Sequence, residues 1–175
     1  MEHDVHHGGT ESYNIYMTEV ERISDQLRRS FEGHAWHGAS LMESLKGVTW
    51  EHASRRPINE AHTIFELILH THMWQAVALA ALNGKTIVPS DEEDWPKSKR
   101  DEKAWKRALE EMQKTHNELM ETLAQFPDSK LEMVLPGKDW TVYQILYGMI
   151  QHNISHAGQI CLLKKGWSVT RNDPG

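Results

Sequence analysis

The sequence predicts an all-α protein that folds as a four-helix bundle. Apolar residues recur three and four positions apart in four long segments, which is the spacing of one face of an α-helix. Glycine, proline and asparagine residues interrupt the pattern between these segments. Because a single amphipathic helix is only marginally stable in water, the four apolar faces must pack on one another. The chain has 175 residues, which fits one domain.

The N-terminal part is predicted to hold one long helix and two short ones. Residues 1–10 are polar and contain glycine, so we expect a flexible tail there and a single bundle domain over residues 11–175. The first long helix is expected over residues 11–31, and short helices at residues 40–45 and 49–54. The apolar residues of the long helix are Ile15, Val20, Ile23 and Leu27.

The second long helix is predicted over residues 59–82. Asn59 is a suitable N-cap, and Glu60 would follow in the first turn, where a negative charge is favourable. The pair Asn83-Gly84 is typical of a helix C-terminus. The apolar face of this helix is broad, and His70 lies on it.

The C-terminal half is predicted to hold the other two long helices. Residues 86–96 contain two prolines and an acidic run, which indicates a loop, and a helix follows over residues 99–124. Residues 131–135 fit a short extended segment or a linker. The last helix is expected over residues 140–165, with Gly166 ending it.

Composition excludes several classes of function. The formal net charge of −6 disfavours a nucleic-acid partner, because neutralising phosphates needs a basic surface. No apolar run reaches the roughly 18 residues needed to cross a bilayer, so no membrane association is expected. The start of the chain lacks the pattern of a secretory signal. With Cys161 as its single cysteine, the chain has no internal disulfide, and a cytoplasmic location is expected.

Three histidines form the candidate metal site. His152 and His156 are four residues apart on the last helix, so their side chains lie about 40° apart on one face and could bind the same ion. The alternative is a pair of half-buried histidines that hydrogen-bond elsewhere. His70 lies deep in an apolar face, where it needs a polar partner. If the second and fourth helices are neighbours, His70 completes a three-histidine set that leaves an open position on zinc or a similar ion, as catalytic sites do.

Other chemically active residues fit this site less well. Glu66 lies one turn before His70, so it is a candidate catalytic base or second-shell partner, although a solvated glutamate is an equal alternative. His72 is about 200° round the helix from His70 and is expected to be exposed or interfacial. His116 is expected to be a satisfied core histidine. Cys161 faces away from the histidine pair, which argues against a cysteine nucleophile.

Three segments resemble the DinB/YfiT-like metalloenzymes. They are AHTIFELILHTHMWQ at residues 61–75, WTVYQILYGMIQHNISHAGQICLLKK at residues 140–165, and GHAWHGASLMESLKGVTWEHASRRP at residues 33–57. The resemblance implies a four-helix bundle with a long crossover connection, assembled as a homodimer. It also implies a divalent metal, often nickel or zinc, held by His70, His152 and His156. Members of known activity include bacillithiol S-transferases and a mycothiol-dependent maleylpyruvate isomerase.

These observations leave three functions open. The first is a metal-dependent transferase that joins a low-molecular-weight thiol co-substrate to a small electrophile. The second is metal-assisted hydrolysis, for which Glu66 is the candidate base. The third is a stress-related protein that binds a metal for stability or sensing without catalysing a reaction.

Overall fold

The computed structural model describes residues 17–169, and their regular structure is helical. The long helices are α1 (Glu19–Phe31), α4 (Ile64–Leu82), α6 (Glu102–Ala124) and α7 (Val142–Val169). The short helices are α2 (Leu41–Ser44), α3 (Trp50–Ala53), α5 (Asp91–Asp94) and a 3-10 turn at Asp128–Lys130. Within the described range, extended pairing is limited to one antiparallel bridge between Val134 and Thr141. The predicted all-α class is confirmed.

Two apolar clusters fill the bundle, and every long helix contributes to both. The first cluster includes Ile23 and Leu27 of α1, Ala78 and Leu82 of α4, Leu119 and Leu123 of α6, and Leu146 and Met149 of α7. The second includes Phe31 of α1, Phe65 and Ile68 of α4, Trp105 and Met112 of α6, and Ile160 and Leu163 of α7. Helices α1 and α7 therefore run from the first cluster to the second, and α4 and α6 run the opposite way.

The directions of the helices explain the long connection in the bundle. Helices α4 and α6 pack directly on each other and are parallel. The chain must therefore return along the length of the bundle between them, which it does over residues 83–101. This crossover carries α5, where the sequence predicted only a loop. Among the described residues, no helix is long and apolar enough to cross a membrane.

The start of α4 corrects the sequence prediction. The helix begins at Ile64, and Asn59 is not its N-cap. Thr63 takes that position, because its side chain accepts a hydrogen bond from the Glu66 backbone N–H while Glu66 accepts one from the Thr63 backbone. Glu60 has a φ of 62°, which lies outside the helical region. The complete capping box of Thr63 and Glu66, and not the isolated asparagine, therefore determines where α4 begins.

The other long helices also start later than the sequence suggests. Helix α1 begins at Glu19 with a capping box between Thr18 and Glu21, so Met17 and Thr18 precede it. The predicted tail and residues 11–16 lie outside the described residues. Helix α6 begins at Glu102 because the Asp101 side chain accepts from the Ala104 N–H.

Gly166 lies inside α7 and does not end it as predicted. A Cβ atom at this position would come 2.9 Å from Pro57 Cβ. Glycine is therefore required here by the close approach of the segment that precedes α4, and its poor helix propensity is tolerated within a long helix.

Alanine at two glycines of α7 tests this explanation. Gly158→Ala should raise the free energy of unfolding by about 1 kcal/mol, because alanine favours the helix and the added Cβ meets nothing within 4 Å. The free energy of unfolding of Gly166→Ala should be about 1–3 kcal/mol lower than that of Gly158→Ala, because the added carbon overpacks against Pro57. Urea unfolding measures both, and equal gains in the two variants would contradict the role of Gly166.

Buried polar side chains lie between the two apolar clusters on all four long helices. This polar layer consists of Ser30 on α1, Thr71 and Gln75 on α4, His116 on α6 and Asn153 on α7. The Asn153 amide donates to Ser30 Oγ at 3.1 Å, and Ser30 donates to the Leu27 carbonyl. Both amide atoms of Gln75 and both ring nitrogens of His116 find no hydrogen-bond partner among the described residues. The layer therefore lowers stability at the centre of the bundle.

His116 is buried as the sequence predicted, but it is not hydrogen-bonded. Its ring stacks on Phe31 at 3.8 Å, and the Glu32 carboxylate lies 3.7 Å from Nε2, too far for a hydrogen bond. Burial lowers the pKa of His116 to about 4. The imidazole is therefore neutral in the folded protein at pH 7.

His116→Leu should make the free energy of unfolding less dependent on pH in the acid range. In the unfolded chain histidine takes up its proton near pH 6.5, but the folded protein protonates His116 only near pH 4. The free energy of unfolding should therefore decrease as pH falls through this window, by up to about 3 kcal/mol more in the parent than in the variant. Denaturant unfolding at several pH values measures the difference, and parallel profiles would contradict it.

Candidate metal centre

Helices α4 and α7 bring the three predicted histidines together. His152 Nε2 lies 3.0 Å from His70 Nε2 and 3.0 Å from His156 Nε2. His70 and His156 are buried, and His152 is partly buried. These residues form the group among the described residues whose ligand atoms could hold a metal ion. That they bind one stays a prediction.

The spacing of the ring nitrogens fits a single bound ion. Two histidine nitrogens on one zinc ion, each about 2.0–2.1 Å from it, can be at most about 4 Å apart, and the observed 3.0 Å lies within that limit. His152 Nε2, with a neighbouring nitrogen at 3.0 Å on each side, also lacks a satisfactory hydrogen-bond arrangement, because its one N–H cannot donate well to two acceptors. The donor set therefore suits a divalent cation.

Hydrogen bonds on the outer ring nitrogens direct lone pairs inwards. His70 Nδ1 donates to the Asp94 carbonyl at 3.0 Å, and an oxygen of the Asp94 carboxylate lies 2.9 Å from the same nitrogen. His156 Nδ1 lies 3.0 Å from Gln159 Oε1, which can only accept. In a neutral imidazole with a protonated Nδ1, the lone pair is on Nε2. Both Nε2 atoms therefore face the centre as acceptors or ligands.

Burial keeps the histidines of α7 in the form that binds metals. Burial first, and then the neighbouring His156 and His70, lower the pKa of His152 to about 3. The pKa of His156 is also lowered, mainly by burial, although the Gln159 hydrogen bond opposes the shift. Both rings are therefore neutral at pH 7, and an ion need not displace protons from them.

The crossover supplies residues that the sequence interpretation missed. Asp94 at the end of α5 orients His70, and Trp74 Nε1 in turn donates to the same carboxylate at 2.6 Å. Carboxylate–histidine pairs of this kind set the orientation of metal ligands. Trp95 stacks on the His70 ring at 4.0 Å with planes 5° apart. The sequence marked Asp94 only as part of an acidic run, so no signal distinguished it from its neighbours.

Gln159 is a second missed residue, and here a sequence signal exists. It follows His156 by three positions on α7, and side chains three apart on a helix are neighbours. A polar residue at that spacing from a candidate ligand could have been assigned as its outer hydrogen-bond partner.

The remaining candidates lie outside the histidine cluster. His72 contacts Thr115 Oγ1 of α6 at 3.0 Å, which is the interfacial position that the sequence predicted. Glu66 faces Arg56 and Arg100, each with a nitrogen within 3.0 Å of the carboxylate, and it also caps α4. The carboxylate is therefore already engaged. Its predicted role as a catalytic base or second-shell partner is not supported by any contact with the three histidines.

A mainly apolar cavity opens beside the cluster. It has a volume of about 510 Å³, and His70 and His152 form part of its wall. The other walls include Trp74, Trp140 and Met149. A cavity of this size accommodates a small organic molecule, and its apolar walls suit an apolar group of that molecule.

The fold and the cluster together define an all-α bundle protein with three histidines placed to hold a metal ion. Comparison with known families then identifies the family. Residues 34–160 match the DinB superfamily, which is a metal-binding group, and the chain belongs to that superfamily. The resemblance seen in the sequence is confirmed at this level. No curated protein and no solved structure matches the chain.

Removing the Asp94 carboxylate tests its role in orienting His70. Asp94→Ala should weaken zinc binding by about tenfold to a hundredfold, because the His70 ring loses the neighbouring carboxylate and keeps only the backbone carbonyl of residue 94 as its partner. Asp91→Ala removes an exposed carboxylate from the same helical turn and should leave zinc affinity unchanged. Competition titration with a chelating dye measures both. Equal affinities in the two variants would show that Asp94 does not support the site.

Proposed function

We propose that this protein is a metal-dependent S-transferase that joins a low-molecular-weight thiol to a small electrophile. The observation that carries the proposal is the position of the three imidazoles, which converge on one another while two of them, His70 and His152, form part of the wall of a mainly apolar cavity. Three protein ligands leave a coordination position open, and the open position is what distinguishes a reactive metal site from a structural one. Membership of a metal-binding superfamily supports the same conclusion.

The ligands and their supports have separate tasks in this proposal. His70, His152 and His156 hold the ion, which is nickel or zinc. When bound, a divalent cation favours the thiolate form of a thiol, and the thiolate is the nucleophile. Asp94 and Gln159 keep the rings of His70 and His156 in the orientation that presents Nε2.

The cavity is proposed to bind the electrophile. Trp74, Trp140 and Met149 offer apolar surface next to His152, and this surface would bury an aromatic or aliphatic group and exclude water. In the transfer, the thiolate sulfur forms a bond to the electrophilic carbon. The leaving group departs with the electron pair of the bond that breaks, and the thiol proton passes to solvent.

The two alternative functions have less support. Metal-assisted hydrolysis needs a base near the attacking water, and the cavity wall contains no carboxylate among the described residues. Glu66, the base that the sequence suggested, is engaged by two arginines. A metal site for stability alone would be expected to supply a fourth protein ligand, whereas the cluster that residues 17–169 form has three.

Substitution of one ligand tests the proposal as a whole. His152→Ala should reduce bound metal to background and abolish conjugation of glutathione with chlorodinitrobenzene, because two histidines on one ion bind much more weakly than three. His72→Ala removes a histidine from α4 that contacts α6, and it should keep both metal and activity. Elemental analysis and absorbance of the conjugate give the two readouts.

Each outcome of this experiment has a distinct meaning. Full metal content in His152→Ala would disprove the ligand assignment. Normal metal binding in the parent protein without any conjugate, but with metal-dependent hydrolysis of an ester, would disprove the transfer and favour the hydrolase.

A further inference from the structure

A second, cationic pocket lies next to the histidine cluster. It has a volume of about 310 Å³, and we define it by Arg56, His62, Glu66, Trp95, Lys97 and Arg100. None of the three clustered histidines lines it, so it is separate from the apolar cavity.

The cationic pocket has an excess of positive charge. Arg56, Lys97 and Arg100 contribute three cations, against the single carboxylate of Glu66. Within the part of the chain that the structure describes, Lys97 has no acidic side chain within 4 Å of its ammonium group. Lys97 is exposed, so its ammonium group is accessible to an anion from solvent.

The two arginines are held in place by the backbone and already contact one carboxylate. Arg56 donates to the Ala61 carbonyl, and Arg100 Nη1 lies 3.5 Å from the Ser54 carbonyl. Arg56 Nη2 lies 3.0 Å from both oxygens of Glu66, and Arg100 Nη2 lies 2.5 Å from one of them. A guanidinium has five N–H donors, so each arginine retains donors beyond these contacts. The arginines thus bind the Glu66 carboxylate and keep donors for a second one.

A stack of three rings connects the cationic pocket with the metal centre. Trp95 lies between His62 and His70, with ring centroids 3.5 Å and 4.0 Å away and planes 5° apart in both pairs. Glu66 precedes His70 by one turn on α4, which is about 6 Å along the helix axis. The two sites are therefore close enough for one small molecule to span them.

The apolar cavity lies in the other direction along the same helix. Trp74, which lines it, follows His70 by one turn, as Glu66 precedes it by one turn. Two reactants could thus approach the metal centre from different directions, one through each pocket.

We propose that the cationic pocket binds a carboxylate of the thiol co-substrate, so that the natural thiol is an anionic one. The inference rests on the proposed transferase function and names the class of its co-substrate. The carboxylate contacts Lys97 and the free donors of Arg100, and the thiol sulfur reaches the cluster past the edge of Trp95. The apolar cavity remains available for the electrophile.

Binding of two matched thiols tests the inference without relying on turnover. Glutathione carries two carboxylates, and its diethyl ester carries none. In calorimetric titration of the zinc-loaded protein, glutathione should bind at least about tenfold more tightly than the diester, because only glutathione can pair with the cations. The same order is expected for the metal-free protein, since the cationic pocket contains no metal ligand.

A charge-matched pair of variants assigns the difference to this pocket. Lys97→Gln should weaken glutathione binding by about threefold to tenfold and leave diester binding unchanged, and it removes no contact of the Arg56–Glu66–Arg100 cluster. Arg107→Gln removes one positive charge from the surface of α6, where Arg107 pairs with Glu111, and should change neither affinity. Equal affinities for the two thiols, or no effect of Lys97→Gln, would overturn the inference.

The conjugation assay separates this inference from the proposed function. If both thiols are conjugated to chlorodinitrobenzene with the same KM, the transferase function stands and the carboxylate site is disproved. If glutathione binds selectively and loses that selectivity in Lys97→Gln, but no thiol is conjugated, the anion site stands and the transferase function fails.

Discussion

The packing of α4 against α7 is the constraint on which the rest of the site depends. The two helices run in opposite directions, so His70 meets His152 and His156 only when one particular register is kept. A shift of one turn would move His70 about 5.4 Å along the axis, beyond the reach of a shared ion. Apolar residues on both sides of the histidines fix that register. The two apolar clusters of the core thereby position the three histidines, although neither cluster includes a histidine.

Burial at the centre of the bundle lowers stability, but it also keeps the candidate ligands in the neutral form that binds metals. Five polar residues between the clusters interrupt the apolar core, and several of their atoms have no hydrogen-bond partner in the part of the chain that the structure describes. The histidine cluster lies at the same level of the bundle, since its members fall between the residues that α4 and α7 give to the two clusters. Desolvation there keeps His152 and His156 neutral, as the lowered pKa of each shows. A fully apolar core would be more stable, but it would hold no such set of donors.

The sequence was sufficient to predict the fold class and the proximity of three histidines, because both depend on helical periodicity. Helix starts were less predictable: Asn59 had the right residue type, but the reciprocal pair of Thr63 and Glu66 determines where α4 begins. Asp94 could not be found in advance, because its contact with His70 depends on how the crossover folds. The sequence of α4 shows only how far Glu66 lies from His70 along the helix. That distance could not reveal Arg56 and Arg100, which come from other parts of the chain.

The crossover supplies several of the side chains that surround the histidines. Parallel neighbours such as α4 and α6 require a long connection, and in this chain residues 83–101 pass over the face of α4 that carries His70. This single connection supplies four of the groups around the site. Asp94 orients His70, and Trp95 stacks on the His70 ring. Lys97 and Arg100 line the cationic pocket. Up-and-down topology with short loops would leave that face of α4 without any of these groups. The topology of the helices therefore determines which side chains can surround the histidines, and the sequence of the crossover determines what chemistry they can support.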